Sequence, residues 1–156
     1  SNINLETGKN ADLKLFAQLK NISNLEEENP LSSAFVKTEN SFELQINPEK
    51  MLSVLEAIPE MTDYLDLLMA PVYTGEKLSE SEYLELFASV YGESFAKDFE
   101  NTNLLLQIEV LQNIKQIQTE SQSIGTVEFS NKTAKIKIPL YKLLCKQDLT
   151  SFKIEF

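Results

Sequence analysis

The sequence predicts an α+β domain in which about three helices pack on one face of a mostly antiparallel sheet. Two kinds of residue pattern lead to this prediction. Residues near both ends of the chain alternate between apolar and polar, which is typical of half-buried strands, and residues in the middle place apolar groups at helical spacing. The resulting order is strands, helices, further strands, a short helix and a final strand.

A length of 156 residues suits one domain, which at this size buries roughly 70% of its unfolded surface. Residues 1–10 are mostly polar and predict a flexible N-terminal tether ahead of a single globular domain over residues 11–156. Such a tether is typical of the mature part of a bacterial lipoprotein. We therefore expect an exported, membrane-anchored protein of the bacterial envelope with a lipid anchor upstream of residue 1; the alternative is a cytoplasmic protein.

The first third of the chain predicts two strands separated by a long loop. Residues 11–20 alternate, which favours a strand over the helical alternative. Residues 22–40 are largely polar and predict a loop, and residues 41–46 predict a second strand. The run Glu26-Glu27-Glu28 lacks the spacing of a calcium loop, so we predict no metal site, and we predict no cofactor.

Asparagine and proline residues mark where helices begin and end in the middle of the chain. Asn47 is suited to cap a helix, and Pro48 suits the first helical position, where no backbone N–H is needed. A second helix is predicted over residues 60–69. The connection that follows carries Val72 and Tyr73, which are larger apolar residues than a connection requires. Either they pack into the core or they present a contact for a partner.

The most complete local folding signal begins at Ser79. Ser79 and Glu82 have the spacing of a capping box, in which each side chain accepts a hydrogen bond from the other residue's backbone N–H. Gly92 then ends or bends the helix. The predicted apolar face of this helix consists of Tyr83, Leu84, Phe87, Val90 and Tyr91.

The last third predicts a strand over residues 102–111, a hairpin, a short helix over residues 139–146 and a final strand over residues 151–156. The hairpin has a two-residue turn at Asn131-Lys132 that brings apolar residues and opposite charges into register. Its predicted pairs are Phe129 with Ala134, Val127 with Ile136, and Glu128 with Lys135.

The residue types that are missing restrict the chemistry. The chain has no His and no Arg, and its single cysteine, Cys145, lies in an apolar run that predicts a buried side chain. Acid–base catalysis without His would need carboxylates, Lys, Tyr or Cys with shifted pKa values. Asp63 and Asp66 are paired, but they lie on the polar face of the predicted helix, where water surrounds them. A carboxylate- or Lys-based enzyme is therefore a remote alternative.

The net charge of −10 is unevenly distributed. Residues 1–100 have a balance of −12 and residues 101–156 a balance of +2. An acidic helical section repels phosphate backbones, so we predict no nucleic acid partner. The acidic surface either keeps the protein soluble or docks a cationic partner.

We therefore expect a non-catalytic binding or assembly domain that contacts another protein with a basic surface. The residues predicted to bind this partner are Val72, Tyr73, Glu82, Glu85 and Glu93. The alternative is a carrier of small apolar ligands, in which Met51, Met61, Met69 and the tyrosines line a gap between helices and sheet, because methionine side chains adapt to irregular apolar shapes. The sequence contains no run of about 18 apolar residues, so no transmembrane segment is predicted.

Overall fold

The structure, a computed structural model, describes residues 2–7, 13–18, 34–56, 65–119 and 124–156. It confirms an α+β fold in which most strand pairs are antiparallel. The strands divide into two sheets, whereas the sequence predicts one. Methionines 51 and 61 of the predicted ligand carrier lie where the structure describes no side chains.

The strands in chain order are β1 (Asn2–Thr7), β2 (Leu13–Gln18), β3 (Phe35–Lys37), β4 (Ser41–Ile46), β5 (Asn103–Glu109), β6 (Gln116–Thr119), β7 (Thr126–Ser130), β8 (Thr133–Pro139) and β9 (Thr150–Glu155). The helices with described bounds are α1 (Pro48–Glu56), α2 (Pro71–Thr74), α3 (Glu80–Tyr91), α4 (Glu93–Glu100) and α5 (Leu140–Cys145). Residues 65–67 are also helical.

One sheet has the strand order β1-β2-β5-β8-β7 and the other has the order β3-β4-β9-β6. Strands β2 and β5 pair in parallel, and the other neighbouring strands pair antiparallel. The final strand predicted from the sequence is confirmed as β9. It lies inside the second sheet between β4 and β6, with Phe152 and Ile154 fully buried.

Part of the predicted tether is a strand. The sequence predicts a flexible tether over residues 1–10, but Asn2–Thr7 forms β1 and pairs antiparallel with β2. The physical reason is that Ile3 and Leu5 alternate with polar residues, which is the pattern of a strand with one apolar face. The strand favoured within residues 11–20 is confirmed as β2.

The loop predicted over residues 22–40 contains β3, a short strand that pairs with β4. Residues 19–33 lie outside the described part of the chain. Helix α1 begins at Pro48 as predicted, and the backbone N–H of Lys50 donates a hydrogen bond of 2.8 Å to Oδ1 of Asn47. Of the second predicted helix, residues 65–67 are helical, and residues 57–64 lie outside the described part.

The capping-box helix is confirmed as α3, but its buried face is narrower than predicted. Tyr83 and Phe87 are fully buried, while Leu84 and Tyr91 are half-buried. Val90, in the last turn, remains 54% exposed, because the buried side of the helix is centred on Tyr83 and Phe87. Gly92, with φ of 90°, ends α3, and α4 starts at the next residue.

The predicted hairpin is confirmed with every predicted pair in register between β7 and β8. Asn131 in the turn has φ of 46°, in the left-handed region that glycine and asparagine tolerate best. The turn also has a tertiary role, because the carbonyl of Lys132 accepts a hydrogen bond of 2.9 Å from the N–H of Val110. Phe129, predicted on the core face, remains partly exposed because β7 is an edge strand.

The turn can be tested by comparing two substitutions of Asn131. We expect Asn131→Ala to lower the free energy of unfolding by about 1 kcal/mol, because alanine keeps the Cβ that is strained at positive φ but lacks the short polar side chain with which asparagine tolerates this conformation. Asn131→Gly removes the same amide but tolerates this φ, so its stability should stay near that of the wild type. Urea denaturation measures both values. An equal loss in the two variants would show that the side chain of Asn131, and not its backbone, stabilises the turn.

Candidate functional site

The amino end of α3 is closed by the predicted capping box. The backbone N–H of Ser79 donates to a carboxylate oxygen of Glu82 at 2.8 Å, and the N–H of Glu82 donates to Oγ of Ser79 at 3.3 Å. The hydroxyl and the backbone N–H of Ser79 both hold the pKa of Glu82 below its ordinary value of 4.5. Glu82, predicted to bind a partner, is therefore engaged in starting its own helix.

Val72 and Tyr73, the two apolar residues predicted either to pack or to bind a partner, differ in their exposure. Val72 lies in α2 and is only 6% exposed, so its side chain is part of the core, as the packing alternative proposed. It is not available to a partner. Tyr73, the next residue, is 39% exposed and remains on the surface.

Aromatic rings hold α3 and α4 together below the surface. Phe87 stacks on Phe99 with ring centroids 4.3 Å apart, and Tyr83 meets Phe99 edge-on at 5.7 Å. Phe87 also stacks on Phe95 at 5.8 Å. These contacts show that α4 folds back against α3 after Gly92.

The two helices form the walls of an open groove of about 740 Å³. Leu84, Ala88 and Ala96 supply apolar surface within it, and its other lining residues are polar or charged. The complete lining consists of Leu84, Glu85, Ala88, Ser89, Glu93, Ser94, Ala96, Lys97 and Glu100. This groove brings together Glu85 and Glu93, two of the residues predicted to bind a partner.

The groove is acidic. Glu85, Glu93 and Glu100 face a single cation, Lys97, among its lining residues. The side chains of Glu85 and Glu93 make no hydrogen bond or ion pair with any residue that the structure describes, unlike that of Glu82.

The sequence prediction missed Glu100 and Lys97. Glu93, Lys97 and Glu100 follow one another at intervals of four and three residues, which places them on one side of α4. This spacing is visible in the sequence and could have identified these residues as one surface. The direction in which α4 folds back on α3 could not be read in the same way, because it depends on Gly92 and on the aromatic contacts.

Beside the groove, α3 already binds a lysine. Nζ of Lys142, in α5, lies 3.3 Å from Oε2 of Glu80 and 5.9 Å from the centroid of the Tyr141 ring. The hydrogen bond to Glu80 raises the pKa of Lys142. A carboxylate on α3 is therefore placed where an alkylammonium group can reach it.

The thiol-bearing residue Cys145 and the phenol-bearing residue Tyr83, which pack near these helices, are both buried. Burial raises the pKa of Cys145 from 9.0 to about 12, so the thiol is neutral and poorly nucleophilic. Burial also raises the pKa of Tyr83, whose hydroxyl donates a hydrogen bond of 2.8 Å to the carbonyl of Leu68. Within the described ranges, no group of three or more Cys, Asp or Glu residues is placed to hold a metal ion.

A second depression, of about 310 Å³, lies on the outer face of the five-stranded sheet. Lys135 and Lys137 line it together with Glu128 and uncharged residues. Its lining carries two lysines and one glutamate, whereas the groove between α3 and α4 carries three glutamates and one lysine.

Comparisons with protein-family models, with curated proteins and with solved structures find no match for this chain. In the part of the chain that the structure describes, no helix is long and apolar enough to cross a membrane.

The capping box predicts how stability depends on pH. The pKa of Glu82 is lowered in the folded protein, so its contribution to stability is present above 4.5 and is lost as pH falls through the lowered pKa. We expect Ser79→Ala to lower the free energy of unfolding by about 1 kcal/mol at pH 7. The difference between wild type and variant should shrink as pH falls below 4.5. Urea denaturation at a series of pH values measures it, and a difference independent of pH would contradict the assignment.

Proposed function

We propose that this chain is a non-catalytic binding domain that contacts another protein with a basic surface through the groove between α3 and α4. The observation that carries the proposal is the lining of that groove. Three glutamates and one lysine surround it, and two of the glutamates have no partner among the described residues.

The shape of the groove supports a protein partner. Specific protein interfaces combine an apolar centre with a polar rim. Leu84, Ala88 and Ala96 supply apolar surface here, and Glu85 and Glu93 stand among the charged groups beside it. A surface that only kept the protein soluble would need the charges but not the concave shape.

The charge of the surrounding segment supports a basic partner. Residues 48–100 carry 12 acidic residues and 3 lysines. A field of one sign steers an oppositely charged partner toward the surface and raises the rate of association. The lack of His and the burial of Cys145 support a non-catalytic role.

The compartment is a separate proposal. We propose that the protein is exported and anchored in the bacterial envelope; the support is the mostly polar composition of residues 1–10, of which residues 2–7 form β1 and are not a free tether. The gene sequence immediately upstream of residue 1 tests this proposal. A signal peptide that ends in cysteine supports it, and a start codon at that position contradicts it.

The binding role predicts opposite effects for acidic and basic residues of the groove. Each exposed ion pair contributes about 0.5 kcal/mol, so replacing Glu85, Glu93 and Glu100 together by Gln should weaken binding of a lysine-rich peptide about tenfold. Lys97→Gln makes the groove more acidic and should strengthen binding. Fluorescence anisotropy with a labelled peptide at low ionic strength measures both effects.

The matched control replaces Glu39, Glu109 and Glu128 by Gln. These residues are exposed and lie outside the groove, and the net charge changes by the same amount. The proposal requires this control to bind nearly as the wild type does, and melting temperatures show that every variant is folded at the temperature of the binding measurement. An equal loss in both triple variants would mean that only the net charge of the protein matters, which would refute a site in the groove.

A further inference from the structure

We infer that the partner segment is an amphipathic α-helix that lies along the groove and packs as a third helix against α3 and α4. This inference rests on the proposed function and names the kind of segment that the groove accepts. Three observations carry it: the groove walls are helices, the lining includes small residues, and the acidic residues come from both walls.

The walls of the groove offer no strand edge to an extended peptide. Their backbone groups bond within the helical hairpin, as in the hydrogen bonds from Gly92 N–H to the Ala88 carbonyl (2.8 Å) and from Ala96 N–H to the Gly92 carbonyl (3.1 Å). An extended peptide in this groove would leave its own N–H and C=O groups without backbone partners. A helix satisfies these groups internally and needs only side-chain contacts from the groove.

Small residues let another helix approach closely. Ala88 and Ser89 on α3 and Ser94 and Ala96 on α4 line the groove. Helix axes that pack against each other lie roughly 8–10 Å apart, and small side chains at the contact favour the short end of that range. The groove lining on α4 runs over residues 93–100, a length of about 11 Å or two helical turns.

The acidic residues define the composition of the docked helix. Glu85 belongs to α3, and Glu93 and Glu100 belong to α4. A helix between these walls would place an apolar stripe at positions i, i+4 and i+7 against Leu84, Ala88 and Ala96, with lysine or arginine on both sides of the stripe. The complementary segment is therefore basic on its flanks and apolar along one side.

Three peptides of about 18 residues separate helix recognition from simple charge attraction; this length is needed because shorter isolated helices are marginal in water. The first two contain the same numbers of Leu, Lys, Ala and Gln. The first is amphipathic, the second is scrambled so that its leucines are dispersed, and the third has the amphipathic order with one central Ala replaced by Pro. We expect the first peptide to bind about tenfold more tightly than the others in titration calorimetry, and its helical circular dichroism to increase on binding.

Variants that fill the groove without changing its charge test the location. Ser89→Phe is the main variant because Ser89 is exposed, and Ala88→Phe is a second variant at a half-buried position. Each should weaken binding of the amphipathic peptide about tenfold. Val90→Phe is the matched control, because Val90 is on the same helix but does not line the groove. Melting temperatures show whether each variant is folded.

The outcomes distinguish this inference from the proposed function. Equal affinity for the amphipathic and scrambled peptides, with the dependence on Glu85, Glu93 and Glu100 retained, overturns the helical partner and leaves the basic partner in place. Unchanged binding in a folded Ser89→Phe variant overturns the position of the helix in the groove. Failure of every lysine-rich peptide to bind at low ionic strength overturns the proposed function and this inference together.

Discussion

The stacking of Phe87 on Phe99 is the contact on which the candidate site depends. Gly92 alone connects α3 and α4, and a single residue with φ of 90° does not by itself fix the direction of the second helix. The ring contact of 4.3 Å, supported by Tyr83 against Phe99, does so. Residues on other sides of the same two helices line the groove. The hydrophobic core therefore shapes the acidic surface.

The carboxyl end of the chain supports the same helices. Helix α5 contacts both α3 and α4 and buries Leu143 and Leu144. The next strand, β9, inserts between β4 and β6, where Phe152 is opposite Leu44 on one neighbour and Thr119 on the other. The second sheet is complete only when the last residues of the chain are in place. Its assembly thus depends on contacts between residues far apart in sequence, which are costly to form early in folding.

The features that could be predicted from the sequence are those whose interacting residues are close together in the chain. Ser79 and Glu82 are three residues apart, and the hairpin pairs around Asn131 are equally local, so spacing and residue type suffice. The two sheets depend on which strand pairs with which. All the strands share the same alternation of apolar and polar residues, so this pattern does not identify their partners. Strand β6 pairs with β9 and not with its predecessor β5. The groove forms only where two helices fold back on each other. Helical spacing therefore identified some of its glutamates but did not show that glutamates from both helices line the same groove.

Glutamates of similar appearance in the sequence have different roles in the structure. The side chain of Glu82, at the third position of α3, bonds Ser79 and stabilises the helix start, whereas the side chain of Glu85, one turn later, bonds no described residue. Glutamates on the same helix therefore differ in whether their side chains bond within the described part of the chain. Placing Glu85, Glu93 and Glu100 around one groove adds repulsion between like charges. Glu93 also lies in the first turn of α4, where its charge suits the positive end of the helix dipole, so helix stability accounts for part of this arrangement. The proposed basic partner would offset the remaining repulsion when it binds.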